Sequence, residues 1–241
     1  DKKVLVPDLN AGCSLADSCP APEFAEFVKQ HPDHVVISYV NTTAAVKAVT
    51  DVVVTSTNAR QIVESFPEGT KMIFGPDRNL GNYINSITGR NMLLWDGACH
   101  VHEQFSLEKI LDLKKQYPDA EVITHPECKQ PVIQVSDFVG STAALLKYTI
   151  KSDKKQFIVA TESGVIHEMR KKSPEKEFIP APPNDSTCAC NECNFMRLNT
   201  MEKLYNCLKY EMPEIFVDGE VQKKAIKPIR KMLEISEKLG L

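Results

Sequence analysis

Short runs of apolar, mostly β-branched residues recur along the chain at 4–6, 35–40, 52–56, 72–74, 92–95, 120–124, 157–160 and 177–180. Residues 20–31, 42–49, 58–66, 106–117 and 142–151, which lie between them, read as helices. Strands that alternate with helices of this length predict parallel sheets and an α/β fold.

The pattern repeats. Residues 52–84 and 136–169 share one plan, with Ser56-Thr57 falling on Ser141-Thr142. The interval from that serine to the isoleucine of the next strand is 17 residues in both, Ser56 to Ile73 and Ser141 to Ile158. Upstream, with a one-residue gap, Tyr39-x-Asn41 falls on His125-x-Glu127, and Cys13 falls on Cys99. Two units of about 85 residues therefore run strand, cysteine loop, helix, strand, polar tip, helix, strand, Ser-Thr, helix, strand. A third strand followed by cysteines, residues 177–193, begins where a third unit would. Cys13, Cys99 and Cys193 are then equivalent positions about a pseudo-threefold axis. Ligands of open α/β sheets bind beyond the carboxyl ends of the strands, where all of these polar residues stand.

Length and charge narrow the classes. The 241 residues suffice for one large domain or two to three small ones. A net charge of −3 gives no reason to expect nucleic acid or an anionic membrane as partner. No apolar run approaches the ~18 residues of a membrane span, and no signal segment opens the sequence. The first residue is Asp1 and residues 2–7 already read as a strand, so a truncated or processed chain is expected.

Eight cysteines are many for a chain expected to be intracellular, and reduced thiols are expected. Three thiolates from three units can hold three irons of a [4Fe–4S] cluster and leave the fourth iron open as a Lewis acid. Two other readings stand beside this one. Cys188, Cys190 and Cys193 offer part of a zinc site, and a cysteine after a strand is commonly a small core residue. Cys128 and Cys207 read as bystanders, and Cys19 is open.

The paired hydroxyls Ser56-Thr57 and Ser141-Thr142 each follow a strand and are expected to open a helix. They would serve as anion sites or as plain N-caps. Tyr39, Asn41, His102, His125 and Glu127 form a further polar group, in which His125 and Glu127 point to one side of a strand end and suit acid–base work.

The stretches GCSLADSCP, FGPDRNLGNYI, LLWDGACHVHEQF, THPEC, DFVGSTAAL, FIVATESGVIHEM and CNFMRLNTMEKLYNCL follow one another in an order that resembles the quinolinate synthase family over nearly the whole chain. The resemblance implies three-layer α/β/α sandwich domains in a pseudo-threefold arrangement, the first of them incomplete here. Residues 1–16 would be the remnant of the first domain, 17–98 the second, 99–185 the third, and 186–241 a helical segment packing with the first. The resemblance also implies a [4Fe–4S] cluster on Cys13, Cys99 and Cys193. The implied reaction condenses iminoaspartate with dihydroxyacetone phosphate to quinolinate, with loss of phosphate and two waters. Tyr39, Asn41, Ser56, Thr57, His102, His125, Glu127, Ser141 and Thr142 would line the substrate pocket, with Glu127, His125 and Tyr39 moving protons. Cys188 and Cys190 match a cysteine pattern of some relatives imperfectly and would form a redox-sensitive pair. An L-aspartate oxidase or aspartate dehydrogenase would supply iminoaspartate, in the cytoplasm or, in a plant, the plastid. The rival classes are a non-enzymatic iron–sulfur or zinc protein acting as regulator or electron carrier, and an α/β protein that binds a small ligand.

Overall fold

The computed structural model describes residues 2–185 and 192–241. Its first unit runs α1 (Ser14–Asp17), α2 (Ala21–Lys29), β1 (Val35–Tyr39), α3 (Ala44–Lys47), β2 (Val52–Val54), α4 (Ala59–Glu64), β3 (Met72–Phe74), α5 (Arg78–Thr88) and β4 (Leu93–Leu94). The second runs α6 (His100–Glu103), α7 (Leu107–Gln116), β5 (Glu121–Thr124), α8 (Gln130–Gln134), β6 (Phe138–Val139), α9 (Thr142–Lys151), β7 (Gln156–Ala160), α10 (Val165–Lys172) and β8 (Glu177–Pro180). Helices α11 (Asn194–Arg197), α12 (Met201–Tyr210) and α13 (Gly219–Leu239) follow.

Two four-stranded sheets, all parallel, have the orders β2-β1-β3-β4 and β6-β5-β7-β8, which are the same order within each unit. Both faces of each sheet are covered, as parallel sheets require. Ile37, Val52, Val54, Met72 and Phe74 pack with Ile62 and Val63 of α4 and Leu80 and Ile84 of α5. Val36 and Ile73, on the opposite face, meet Phe24 of α2 and Val46 of α3. In the second sheet Val122 and Ile158 meet Ile110 of α7 and Val132 of α8, while Ile123, Phe157 and Val159 meet Leu145 of α9 and Met169 of α10.

Polar details repeat as faithfully as the strands. The Val36 amide donates to Asp51 Oδ2 and the Val122 amide to Asp137 Oδ2, each at 2.8 Å and each across 15 residues. The hydroxyl pairs Ser38–Thr50 and Thr124–Ser136 each join residues 12 apart. Register agrees: Val36 pairs with Ile73 and Val122 with Ile158.

Three local expectations change. Residues 4–6 form no strand; Leu5 makes a single antiparallel bridge to Glu214. That bridge belongs to a seam in which Ile215 donates to the Val4 carbonyl at 2.8 Å and Lys203 pairs with Asp8. Strand β2 stops at Val54, because Asn58 Oδ1 takes both the amide and the hydroxyl of Thr55 and turns the chain. Helix α5 forms although Asn79, Gly81, Asn82 and Asn85 are poor helix residues. Asp77 caps it, and Gly81 lets it lie close on the sheet, where a Cβ would stand 2.6 Å from Leu94 Cδ2.

Helix α13 leaves the seam and packs across α3, β2 and α4, placing Met232 and Ile235 against the first core. Beside the seam, Met201, Leu208, Met212 and Phe216 are exposed. No helix among the described residues is long and apolar enough to cross a membrane.

Candidate functional site

Cys13, Cys99 and Cys193 occupy the same local structure. Each is the N-cap of a four-residue helix, α1, α6 and α11 respectively, with an extended backbone and no side-chain cap. Each is partly buried, and no disulfide engages any of them. Their neighbours interlock. Ser14 Oγ lies 2.6 Å from His100 Nδ1 and also accepts from the His100 amide at 3.2 Å, so the residues that follow Cys13 and Cys99 hold each other. Phe195, two residues beyond Cys193, sets its ring 6.0 Å from that of His100 and lies against Gly12. Gly97 permits the approach of the first two loops, since a Cβ there would fall 2.5 Å from Ser18 Oγ. The thiols at Cys19, Cys128 and Cys207 are buried in the cores instead. Cys188 and Cys190 lie outside the described residues.

Next to Cys99 stands a buried acid–base group. The liganding atoms of Cys99, His102 and Glu127 lie within 4.8 Å of one another. His102 Nδ1 is 3.0 Å from Glu127 Oε2, yet out of line for a hydrogen bond, so this buried nitrogen has no hydrogen-bond partner. Its other nitrogen, Nε2, is 3.1 Å from Thr161 Oγ1. The His125 ring stacks on His102 with centroids 4.8 Å apart, and its Nδ1 is 3.8 Å from Glu127 Oε1. The Tyr39 hydroxyl reaches Glu127 and Ser56. Asn41, two residues past Tyr39, has its Nδ2 4.0 Å from Cys13 Sγ.

Burial and charge set the protonation of this group. Burial works against the ionised Glu127, but the charges of the two histidines beside it and the Tyr39 hydroxyl hold it down to about 2. Burial pulls His102 down too, and the charge of Glu127 with the Cys99 thiol carries it up to about 10. One buried carboxylate supports one imidazolium. His125, lowered to about 4 by burial and by the charge of His102 against the pull of Glu127, is the neutral ring. Tyr39 is raised far above its usual range by burial and by Glu127. Asp77, wholly buried, is pushed up to about 7 by burial and then by Glu127.

The His125 shift has a measurable consequence. Unfolded, this ring titrates at its ordinary 6.5; folded, at about 4. Between these values the unfolded chain holds the extra proton, so stability falls as pH drops through that window. The urea midpoint of the iron-free chain is expected to fall less over this range in His125→Asn than in the parent. Equal falls in the two would remove His125 as the cause.

The two hydroxyl pairs prove unequal. Ser141 caps α9, accepting from the Ala144 amide at 3.3 Å, and Thr142 is the first residue of that helix. Ser56 and Thr57 do not open a helix, because Asn58 takes the N-cap of α4. Ser56 reaches Tyr39 instead. Thr57 and Thr142 are exposed, and neither they nor Ser141 bond to the buried group.

Several residues of the site were missed from the sequence. Asp77 Oδ2 accepts from the Cys99 amide at 2.9 Å. Asn79 Nδ2 donates to the Glu127 carbonyl at 3.1 Å and to Glu103 Oε1, tying the first unit to the second. Thr161 holds His102. The repeat carried a signal for Asp77, which stands just past β3 as Glu162 stands just past β7. Asn79 and Thr161 have no such mark.

Three cysteines in equivalent N-cap positions, with an orphaned imidazole nitrogen beside one of them, form a donor set of the kind that holds an iron–sulfur group. Comparison with known proteins identifies the family. The family described as NadA, quinolinate synthetase A protein, matches residues 1–234. A quinolinate synthase of Chloroherpeton thalassium is 56% identical over 237 residues, which cover 98% of this chain and 74% of that protein. One from Synechocystis is 57% identical over 235 residues, with the same shares of each chain, and one from Nostoc punctiforme is 56% identical over 236 residues, covering 98% and 72%. With half or more of its sequence shared with these enzymes along almost its whole length, the chain belongs to the quinolinate synthase family.

Proposed function

We propose that the chain condenses iminoaspartate with dihydroxyacetone phosphate to quinolinate, releasing phosphate and two waters, with a [4Fe–4S] cluster on Cys13, Cys99 and Cys193. The observation that carries this reading is the common N-cap geometry of the three cysteines, interlocked through Ser14, His100 and Phe195, beside the buried Glu127–His102 pair.

When bound, such a cluster supplies a Lewis acid at its one iron without a protein ligand. The chain's own residues supply the rest. Glu127, ionised and 3.0 Å from a charged His102, accepts a proton at Oε2 or Oε1 and returns it during enolisation and dehydration. His102 is the cation that answers charge developing on a substrate oxygen near Cys99. Neutral His125 and the Tyr39 hydroxyl orient Glu127 and exclude water from it. Ser56 and Thr57, with Ser141, Thr142 and the start of the ten-residue α9, hold the anionic ends of the substrates. Asn41 stands at the Cys13 edge of the pocket.

The domain division at 16/17, 98/99 and 185/186 belongs to the same reading. It is supported by β1–β4 falling within 17–98 and β5–β8 within 99–185. An L-aspartate oxidase or aspartate dehydrogenase supplies the unstable imine, and the compartment is the cytoplasm, or the plastid in a plant.

The test is quinolinate formation from the two substrates by chain prepared and loaded without oxygen. Product that depends on iron and sulfide supports the reading. Zinc bound through Cys188, Cys190 and Cys193, with no product from the loaded chain, overturns it.

A further inference from the structure

Each sheet ends its third strand in a carboxylate. Asp77 and Glu162 both stand four residues past the isoleucine that pairs with the central strand, Ile73 in the first sheet and Ile158 in the second. Both carboxylates divide their oxygens in the same way. One oxygen closes the turn that leaves the strand: Asp77 Oδ1 accepts from the amides of Asn79 and Leu80 at 2.7 and 3.0 Å, and Glu162 Oε2 from the Gly164 amide at 2.7 Å. The other oxygen reaches forward to a cysteine. Asp77 Oδ2 accepts from the Cys99 amide at 2.9 Å, and Glu162 Oε1 from the Cys193 amide at 3.4 Å.

A turn or helix cap needs only the first of these bonds. The second spans 22 residues in one case and 31 in the other, with intervening segments of unrelated sequence, so no local turn dictates it. Both cysteines are N-caps of helices too short to fix their own ends. Holding the amide of such a residue fixes its peptide plane, and with it the direction of its Cα–Cβ bond. Groups that hold a ligand's orientation in this way govern how tightly a metal centre is kept.

We propose that Asp77 and Glu162 are a repeated pair of positioning residues, each clamping the main chain of the cysteine that opens the next unit so that its thiol is aimed before the cluster arrives. This rests on the reading that Cys99 and Cys193 ligate the cluster. It adds that the sheets themselves carry the devices that set the two thiols.

Asp77→Asn and Glu162→Gln test it. Each keeps its shape and one acceptor oxygen, which can serve the turn or the cysteine but not both. In Asp77→Asn the two turn amides hold the oxygen, leaving an NH2 donor facing the Cys99 N–H. Parent, single variants and double variant are loaded without oxygen, with Cys99→Ser and Cys193→Ser beside them. Iron and sulfide, the electron paramagnetic resonance spectrum of the reduced cluster, and the rate of iron release to EDTA are then measured. Both amide variants are expected to load, to shift the resonance spectrum, and to release iron about 10-fold faster than the parent, with the double variant faster still. If Cys99→Ser and Cys193→Ser keep full iron, the ligand reading fails and this proposal with it. If those two lose iron while both amide variants keep the parental spectrum and release rate, the positioning roles alone are overturned. Should Asp77→Asn not fold, Glu162→Gln, altered at a partly exposed side chain, decides on the same two readouts.

Discussion

Glu127→Gln is expected to lower kcat by at least about 100-fold, the low end of what a positioned acid–base group contributes, while iron and sulfide stay at the parental level. Glutamine has the shape of glutamate, so the Tyr39 and His102 contacts remain sterically possible, but the charge is gone. Glu127 is 4% exposed and is the chief group holding His102 protonated, with Cys99 adding to it. Without it, burial works against only the weaker pull of Cys99, and His102 shifts toward the neutral ring. The variant therefore loses the base and weakens the cation. Breaking a buried charge pair also costs roughly 3–5 kcal/mol of stability when one charge is stranded. Here the stranded partner can shed its proton, so the loss is expected at or below that range, and retained iron shows that the site still stands. Near-parental turnover with full iron would remove Glu127 from the proton-transfer role and leave it as a structural counter-ion.

The two sheets were legible because apolar alternation is periodic and the second unit restates the first. The equal 17-residue intervals locate β3 and β7 as surely as the register does. What escaped was set by tertiary contact. β6 is only Phe138–Val139, too short to show a run, and it exists because Ile123 and Thr124 of β5 offer it a ladder. Helix α5 contradicts its own composition and is made by the Asp77 cap and by the close approach at Gly81. The same limit applies at the site. Cys13, Cys99 and His125-x-Glu127 were visible as repeat mates, whereas Asn79 and Thr161 act through single long-range hydrogen bonds that leave no period in the sequence. Ser56-Thr57 and Ser141-Thr142 look alike in sequence and differ in structure because one neighbour, Asn58, competes for the N-cap. Equivalence in sequence therefore predicted position better than it predicted hydrogen bonding.

Serine at Cys13, Cys99 or Cys193 is expected to remove the cluster in each single variant, with iron and sulfide falling from about four of each per chain toward zero, whereas serine at Cys19, Cys128 or Cys207 leaves it in place. The first three thiols share an N-cap setting and partial exposure, and the last three are buried. Burial also bears on three of these thiols. Burial drives Cys19 up to about 12 and Cys128 well above its usual range, so neither yields a thiolate readily. At Cys13 burial also raises the thiol, but the amides of Leu15 and Ala16 pull the other way. A thiolate there costs less, and a bound cation offsets the remainder. The outcome at Cys193 discriminates most. It comes from the third cysteine segment, and its tie to the other two cysteine loops runs through Phe195, Gly12 and His100. Full loss in Cys193→Ser makes the centre threefold. Iron retained in that variant but lost in Cys99→Ser would confine the metal to Cys99, His102 and Glu127, whose donor atoms already lie within 4.8 Å of one another. Such a centre would hold one ion on three unlike ligands, and the three-thiolate mechanism would fall.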